Sequence, residues 1–122
     1  MTSVSAAWVV PVDGAPIEGG CVSWDEDGAI TSVAPGRGER HFDDAVIVPG
    51  FVNAHSHLEY AVYAGFGDGL PFGPWIALHV ARKGALSHDD MLAIARRGVV
   101  DSLASGVTTT ADYSFAGMAS IA

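Results

Sequence analysis

The first 49 residues alternate short apolar runs with clusters of turn-forming residues. The runs are rich in Val and Ile, which favour strands, and cover residues 6–10, 21–24, 29–33 and 45–48. Between two of them, Asp27-Gly28 predicts a two-residue hairpin turn, because Gly and Asp tolerate a positive φ. This alternation predicts a small antiparallel β unit.

The pattern changes after Pro49-Gly50. Residues 51–58 are predicted to form one strand whose side chains alternate between two faces. One face carries Phe51, Asn53, His55 and His57. Four glycines and two prolines make residues 65–74 a loop, and residues 75–83 are predicted to form a short helix.

The clearest predicted helix begins at Ser87, whose hydroxyl can accept the backbone N–H of Asp90. The expected buried stripe consists of Met91, Leu92, Ala95, Val99, Val100 and Leu103. Gly106 suits a left-handed stop, and the β-branched residues that follow predict a strand over residues 107–113. Strand, helix and strand form a βαβ unit, whose two strands are normally parallel.

Composition limits the possible partners and the compartment. The 122 residues contain six Lys and Arg against fourteen Asp and Glu, a formal charge of −8, which disfavours nucleic acid. The single cysteine, Cys21, cannot form an intrachain disulfide, so the cytoplasm is the expected compartment. The longest apolar run, residues 45–54, is far shorter than the ~20 residues that span a bilayer, so no membrane segment is predicted.

Two histidines are the most informative residues of the sequence. His55 and His57 lie two positions apart on the predicted strand, so both imidazoles project to one side and can share a metal ion. Neutral imidazole suits Zn, Fe, Ni or Cu better than Mg or Ca. Two histidines at this spacing also occur in surface or packing roles, so the spacing alone leaves both interpretations open.

The sequence around these histidines resembles a known family. Residues 46–59, VIVPGFVNAHSHLE, place a Pro-Gly corner, two apolar residues and an asparagine before His-x-His. This run resembles the start of the barrel in the amidohydrolase superfamily, where it opens the metal site. Residues 70–76 resemble the Leu-Pro…Trp-Leu segment of the branch that holds chlorohydrolases and heterocycle or nucleoside deaminases. Residues 27–33 and 105–109 resemble that family's N-terminal hairpin and helix-to-strand join.

The resemblance implies an α/β fold in two parts. Residues 1–49 would be the N-terminal portion of a β-sandwich, and residues 50–122 the truncated start of a metal-dependent (β/α)8 barrel. Such a barrel takes about 250 residues, so only its first two βα units fit here. His55 and His57 match the family's first two metal ligands, with Zn as the expected ion and Fe as the alternative. The remaining ligands and the proton-shuttling glutamate have no position in this chain, so no catalytic residue is expected in it.

The implied reaction is the hydrolytic deamination, or dechlorination, of a heterocyclic or amidine-like small molecule by metal-activated water. The chain is not expected to be active alone. Its open strand edges predict a marginal, oligomeric or aggregating protein. The alternatives are a non-enzymatic relic, a split subunit that needs a C-terminal partner chain, or another metalloprotein such as a cupin-like barrel. A cupin places a carboxylate where Ala61 and Val62 stand, which counts against the last.

Two further residues are candidates for substrate binding. Trp75 lies near the predicted loop, where an indole suits a flat heterocycle, although anchoring the loop in the core is the alternative. Glu59 follows the histidines and is predicted either to contact substrate, to orient an imidazole, or to be a solvated carboxylate.

The other histidines and the cysteine are predicted to have no role in the chemistry of the site. His41, His79 and His88 are expected to be solvated surface residues. Asp112, on the second predicted barrel strand, is a minor candidate for the barrel mouth. Cys21 is expected to be a small buried residue of the β unit.

Overall fold

The computed structural model describes residues 2–114 and has a mixed α/β architecture. Its elements are β1 (Thr2–Val9), β2 (Ile17–Glu18), β3 (Gly20–Trp24), β4 (Ile30–Pro35), β5 (Arg40–Ile47), β6 (Phe51–Ser56), a 3₁₀ turn (Leu58–Tyr60), α1 (Phe72–Lys83), α2 (His88–Ala104) and β7 (Val107–Asp112). The chain divides into two compact units, Met1–Pro49 and Gly50–Ala122. No helix within residues 2–114 is long and apolar enough to cross a membrane.

The first unit is a five-stranded sheet centred on β1. The strand order is β2-β1-β3-β4, and β5 pairs with β1. The expectation of a purely antiparallel unit is wrong, because β5 runs parallel to β1, with Ser5 opposite His41. Since β1 and β4 are both antiparallel to β3, they run the same way, and residues 36–39 lead into β5 without reversing the chain.

The core of the first unit lies along β1, where Ser5, Ala6 and Val9 are buried. Gly20 of β3 is required here, because a Cβ at this position would lie 2.6 Å from Cγ2 of Val9. The predicted hairpin between β3 and β4 is confirmed, with Gly28 at a φ of 82°. The Asp25 carboxylate closes this turn by accepting the backbone N–H of Ala29 at 2.9 Å.

The second unit contains the predicted strand-helix-strand arrangement. β6 and β7 are parallel, with Ser56 opposite Asp112, and α2 packs against the 3₁₀ turn and β7. Three predicted boundaries are wrong, and the first is the end of β7, which lies at Asp112 and not at residue 113. β6 ends at Ser56, because the chain turns into the 3₁₀ segment two residues later. α1 begins at Phe72, since Pro74 falls in its first turn, where a missing N–H is no loss.

The ends of α2 agree with the sequence. The Ser87 hydroxyl accepts the backbone N–H of Asp90 at 3.1 Å, and the Asp90 carboxylate accepts the backbone N–H of Ser87 at 3.1 Å. Hydrogen bonds from the Ser87 side chain and then its backbone lower the pKa of Asp90 below its ordinary value of 3.8. Gly106 follows the helix with a φ of 87°, as predicted.

The predicted buried stripe of α2 is only partly right. Met91 and Ala95 are buried, but Val100 and Leu103 are exposed. The third buried position is Gly98. A Cβ there would lie 2.6 Å from the carbonyl oxygen of Leu58, so α2 makes its closest approach through backbone, with no room for a larger side chain.

Candidate metal and substrate site

The histidine pair, His55 and His57, lies at the carboxyl end of β6. Their ring centroids are 5.1 Å apart and the ring planes meet at 81°. Both side chains are exposed. The side chain of Asn53 accepts the backbone N–H of His55 at 3.2 Å, which fixes the strand just before the pair. The predicted placement of both imidazoles side by side is therefore present, whereas metal binding stays a prediction.

Tyr113 contacts both members of the histidine pair. Its carbonyl oxygen lies 2.7 Å from Nδ1 of His57, and because a carbonyl only accepts, that nitrogen carries the proton. Nε2 of His57 is then the nitrogen with a lone pair for a metal ion. The Tyr113 ring stacks on His55 with centroids 4.7 Å apart and planes at 27°. Sequence reasoning assigned Tyr113 no role. It follows the end of β7, where its backbone N–H donates to the Ser56 carbonyl at 2.8 Å.

Asp112 holds the backbone that follows the pair. Its Oδ1 accepts the backbone N–H of Leu58 at 2.8 Å. Asp112 was predicted as a candidate for the barrel mouth. In the structure its carboxylate binds the backbone of Leu58. The carboxylate therefore stabilises the turn immediately after His57.

The donor set suits a transition metal but is incomplete. Within residues 2–114, no group of three or more His, Cys, Asp or Glu side chains is arranged to hold a metal ion. Two exposed imidazoles, one with its Nε2 available, supply nitrogen donors of the kind that Zn and Fe accept. A tetrahedral site takes four ligands, so the histidine pair fits as part of a ligand set.

Glu59 is buried, and the prediction of a solvated carboxylate is wrong. It is 1% exposed, and its Oε1 accepts a hydrogen bond from Nζ of Lys83 at 3.1 Å. Lys83, at the end of α1, is 5% exposed and places Nζ 4.2 Å from the centre of the Tyr60 ring. The predicted contact of Glu59 with substrate stays a prediction. No pattern in the sequence pointed to Lys83, because its partner lies 24 residues away.

Trp75 belongs to an aromatic cluster. It is half-buried and lies nearly parallel to Tyr60, with centroids 6.0 Å apart, and to Phe72 at 6.2 Å. The His79 ring is 4.2 Å away. These contacts are those of an anchoring residue, while the exposed part of the indole keeps the predicted substrate role open.

Two of the three histidines predicted to be solvated are not. His79 is 1% exposed, because the rings of Tyr60, Tyr63, Phe66 and Trp75 surround it, and its Nε2–H donates to the Phe66 carbonyl at 3.1 Å. His41 is largely covered, since Nδ1 lies 2.8 Å from the Ser5 hydroxyl and Nε2 lies 2.9 Å from Asp43. His88 is exposed, as predicted, and Cys21 is half-buried.

Comparison with known proteins identifies the family. A family model described as "Amidohydrolase family" matches residues 46–122. A 5-methylthioadenosine/S-adenosylhomocysteine deaminase of Haloarcula marismortui is 32% identical over 98 residues, covering 80% of this chain and 22% of the relative. An isoxanthopterin deaminase of an unknown prokaryotic organism is 36% identical over 92 residues, covering 71% of this chain and 19% of the relative.

A solved structure has a similar fold. An amidohydrolase from Brucella melitensis matches 94% of this chain and 27% of its own, with a TM-score of 0.70 and 24% identity, which supports the fold. The chain thus spans about a quarter or less of the length of these relatives. The family match excludes the cupin-like alternative. This chain belongs to the amidohydrolase family.

Proposed function

We propose that this chain carries the first part of a metal-dependent amidohydrolase that hydrolyses a C–N bond of an amino-bearing heterocycle, with His55 and His57 as two metal ligands. The observation that carries the proposal is the 2.7 Å contact between Nδ1 of His57 and the Tyr113 carbonyl, which leaves Nε2 available as a donor. Two deaminase relatives, one named for adenosine derivatives and one for a pterin, support this substrate class. Dechlorination remains the related alternative.

The fold proposal follows from the second unit. Parallel β6 and β7, with α2 packed against β7, are what the first βα units of a (β/α)8 barrel contain. The carboxyl ends of barrel strands form the active-site face, and the histidine pair lies at that end of β6. In the same proposal, residues 1–49 are the N-terminal portion of a β-sandwich.

The residues present would bind the ion and one face of the substrate. A bound Zn or Fe ion supplies water of lowered pKa, and hence hydroxide near neutral pH. His57 is held in one tautomer by Tyr113, and His55 is held by the ring of the same tyrosine. The exposed part of Trp75 would stack on the flat substrate. The described residues provide only two metal donors, so the chain is expected to need the rest of a longer polypeptide, or a partner chain, for turnover.

Calorimetric titration with Zn²⁺ tests this proposal. The wild-type chain is expected to bind one ion, and His55→Ala or His57→Ala to weaken binding by at least about tenfold, since each removes a ligand. His88→Ala, which removes an exposed histidine at the start of α2, is the matched control and is expected to bind like wild type. Equal affinity in wild type and both single variants would refute the assignment.

A further inference from the structure

Among residues 50–114, three polar side chains are buried next to Tyr60, whose ring packs on His57. Glu59 and Lys83 form an ion pair with 2% exposure of each side chain, and His79 is buried beside them. We call these three residues the buried polar cluster. All three adjoin Tyr60: Glu59 precedes it in the chain, Nζ of Lys83 lies over its ring, and the His79 ring is 5.2 Å away.

Tyr60 connects this cluster to the histidine pair. Its ring packs against His57 with centroids 5.6 Å apart and planes at 64°. The backbone N–H of Tyr60 also donates to the His57 carbonyl at 2.9 Å. An ammonium over an aromatic face is attracted to the ring and restricts its movement. Lys83 therefore restrains the ring that packs against His57.

We propose that the Glu59–Lys83 ion pair positions the His57 imidazole for metal binding through the ring of Tyr60. Lys83 acts here as a positioning residue and does not contact the ion. The inference rests on the proposed function, because it presupposes that His57 is a ligand. A ligand that is already oriented loses less side-chain freedom when the ion binds, so its affinity is higher.

The two histidines differ in the support they need. His55 lies in β6 between Asn53 and Ser56, which both pair with β7, and its ring stacks on Tyr113. His57 lies beyond the end of β6 and is exposed, and its ring contacts Tyr113, Tyr60 and the ring of His55. If the Tyr60 ring is no longer restrained by Lys83, the His57 ring is therefore expected to become more mobile, whereas His55 is expected to stay in place.

The test replaces both charges together. Glu59→Met combined with Lys83→Met leaves no unpaired buried charge, and well-packed apolar replacements of buried ion pairs are often tolerated. We expect this double variant to fold but to bind Zn²⁺ about tenfold more weakly than wild type, the size expected when a group supporting a metal ligand is lost. The single variant Lys83→Arg keeps the positive charge and is expected to bind Zn²⁺ nearly as tightly as the wild-type chain.

Arg82→Met is the matched control. Arg82 adjoins Lys83 in α1 and also lies over an aromatic ring, 6.0 Å from the centre of Phe66, but it is exposed. This variant removes a cation over a ring that is not the one against His57. Its Zn²⁺ affinity is expected to equal that of wild type. A double variant that folds and binds Zn²⁺ like wild type would overturn the proposal.

A second measurement on the wild-type chain covers the case in which the double variant does not fold. A restrained Lys83 ammonium over Tyr60 is expected to give side-chain NMR signals shifted upfield by the ring, and averaged, unshifted signals would overturn the proposal. The two hypotheses also fail differently. Absence of Zn²⁺ binding by the wild-type chain refutes the metal site, whereas normal binding by the folded double variant refutes only the positioning role.

Discussion

The two units differ in what they bury. In the first, the most buried residues are Ala6, Val9 and Ser5 on the central strand β1, an ordinary core for a small sheet. In the second, Glu59, His79 and Lys83 are as buried as Met91 and Ala95. Burying charge requires precise partners to offset its desolvation, so the second unit contains an arrangement that an apolar core would not need.

The buried polar residues of the second unit lie around the candidate site. Glu59 follows His57 by two residues, and Lys83 and His79 both contact Tyr60, whose ring packs on His57. The comparable polar arrangement of the first unit, Ser5 with His41, joins two paired strands. Polar burial therefore supports the sheet in the first unit and surrounds the candidate site in the second.

The largest expected effect tests the buried ion pair itself. Lys83→Met alone leaves the Glu59 carboxylate buried without its ammonium, and breaking a buried pair in this way costs about 3–5 kcal/mol. Denaturant unfolding should show the loss of stability, and hydrogen exchange should show lost protection in α1. Protection in β1 of the first unit is the internal control and should be retained. Unchanged stability would mean that the pair is not buried in solution.

A second test concerns the close approach of α2 to the turn after the histidine pair. Gly98→Ala would place a Cβ 2.6 Å from the Leu58 carbonyl oxygen, and such overpacking costs about 1–3 kcal/mol. Gly73→Ala is the matched control, since a Cβ there meets nothing within 4 Å and alanine favours a helix. Thermal melts should show destabilisation by the first substitution and none by the second. The reverse order would contradict the packing of α2 on Leu58.

The third test moves to the first unit. Ser5 is fully buried, and its hydroxyl oxygen accepts the Gly38 N–H at 2.9 Å while lying 2.8 Å from Nδ1 of His41. Ser5→Ala strands these partners and should cost about 1–3 kcal/mol in denaturant unfolding. Ser3→Ala, which removes the acceptor for the more exposed Glu39 N–H, should cost less. Equal effects would show that burial is not what makes the Ser5 contacts valuable.

Local patterns in the sequence predicted much of the fold. The Ser87 cap, the Asp27-Gly28 hairpin and the parallel pairing around α2 depend on residues close in the chain or on a general rule of connection, and all three are present. The direction of β5 was missed, because it depends on which sheet edge the chain reaches. That information is not local.

Of the candidate site, only the histidine pair could be predicted from the sequence. The closeness of His55 and His57 could be predicted from their separation by one residue, although β6 ends at Ser56 and His57 lies just beyond it. Tyr113 lies 56 residues from its partner His57 in the sequence, and Lys83 lies 24 residues from Glu59. No local sequence pattern around Tyr113 or Lys83 predicts these contacts. His79 was misassigned because helical periodicity does not reveal that four aromatic rings surround it.

The smallest effect comes from a polar contact of the second unit that is not buried. Asp90 accepts hydrogen bonds from Ser87, so its pKa in the folded chain lies below 3.8, and its contribution to stability is present above that pH and lost as pH falls through the folded value. Asp90→Ala should therefore lower the thermal midpoint by a constant amount above about pH 5, with the difference shrinking below about pH 4.

The control for this last test is Asp89→Ala, which removes an acidic residue from the same first turn of α2 but leaves the Ser87 cap intact. A difference that persists unchanged to low pH in the Asp90 variant would contradict the cap as its source. If the cap behaves as expected, its effect should be much smaller than that of Lys83→Met. The contrast between the two units then depends on the burial of polar groups around His57, since polar pairing by itself, as at Ser87, is common to exposed helix ends.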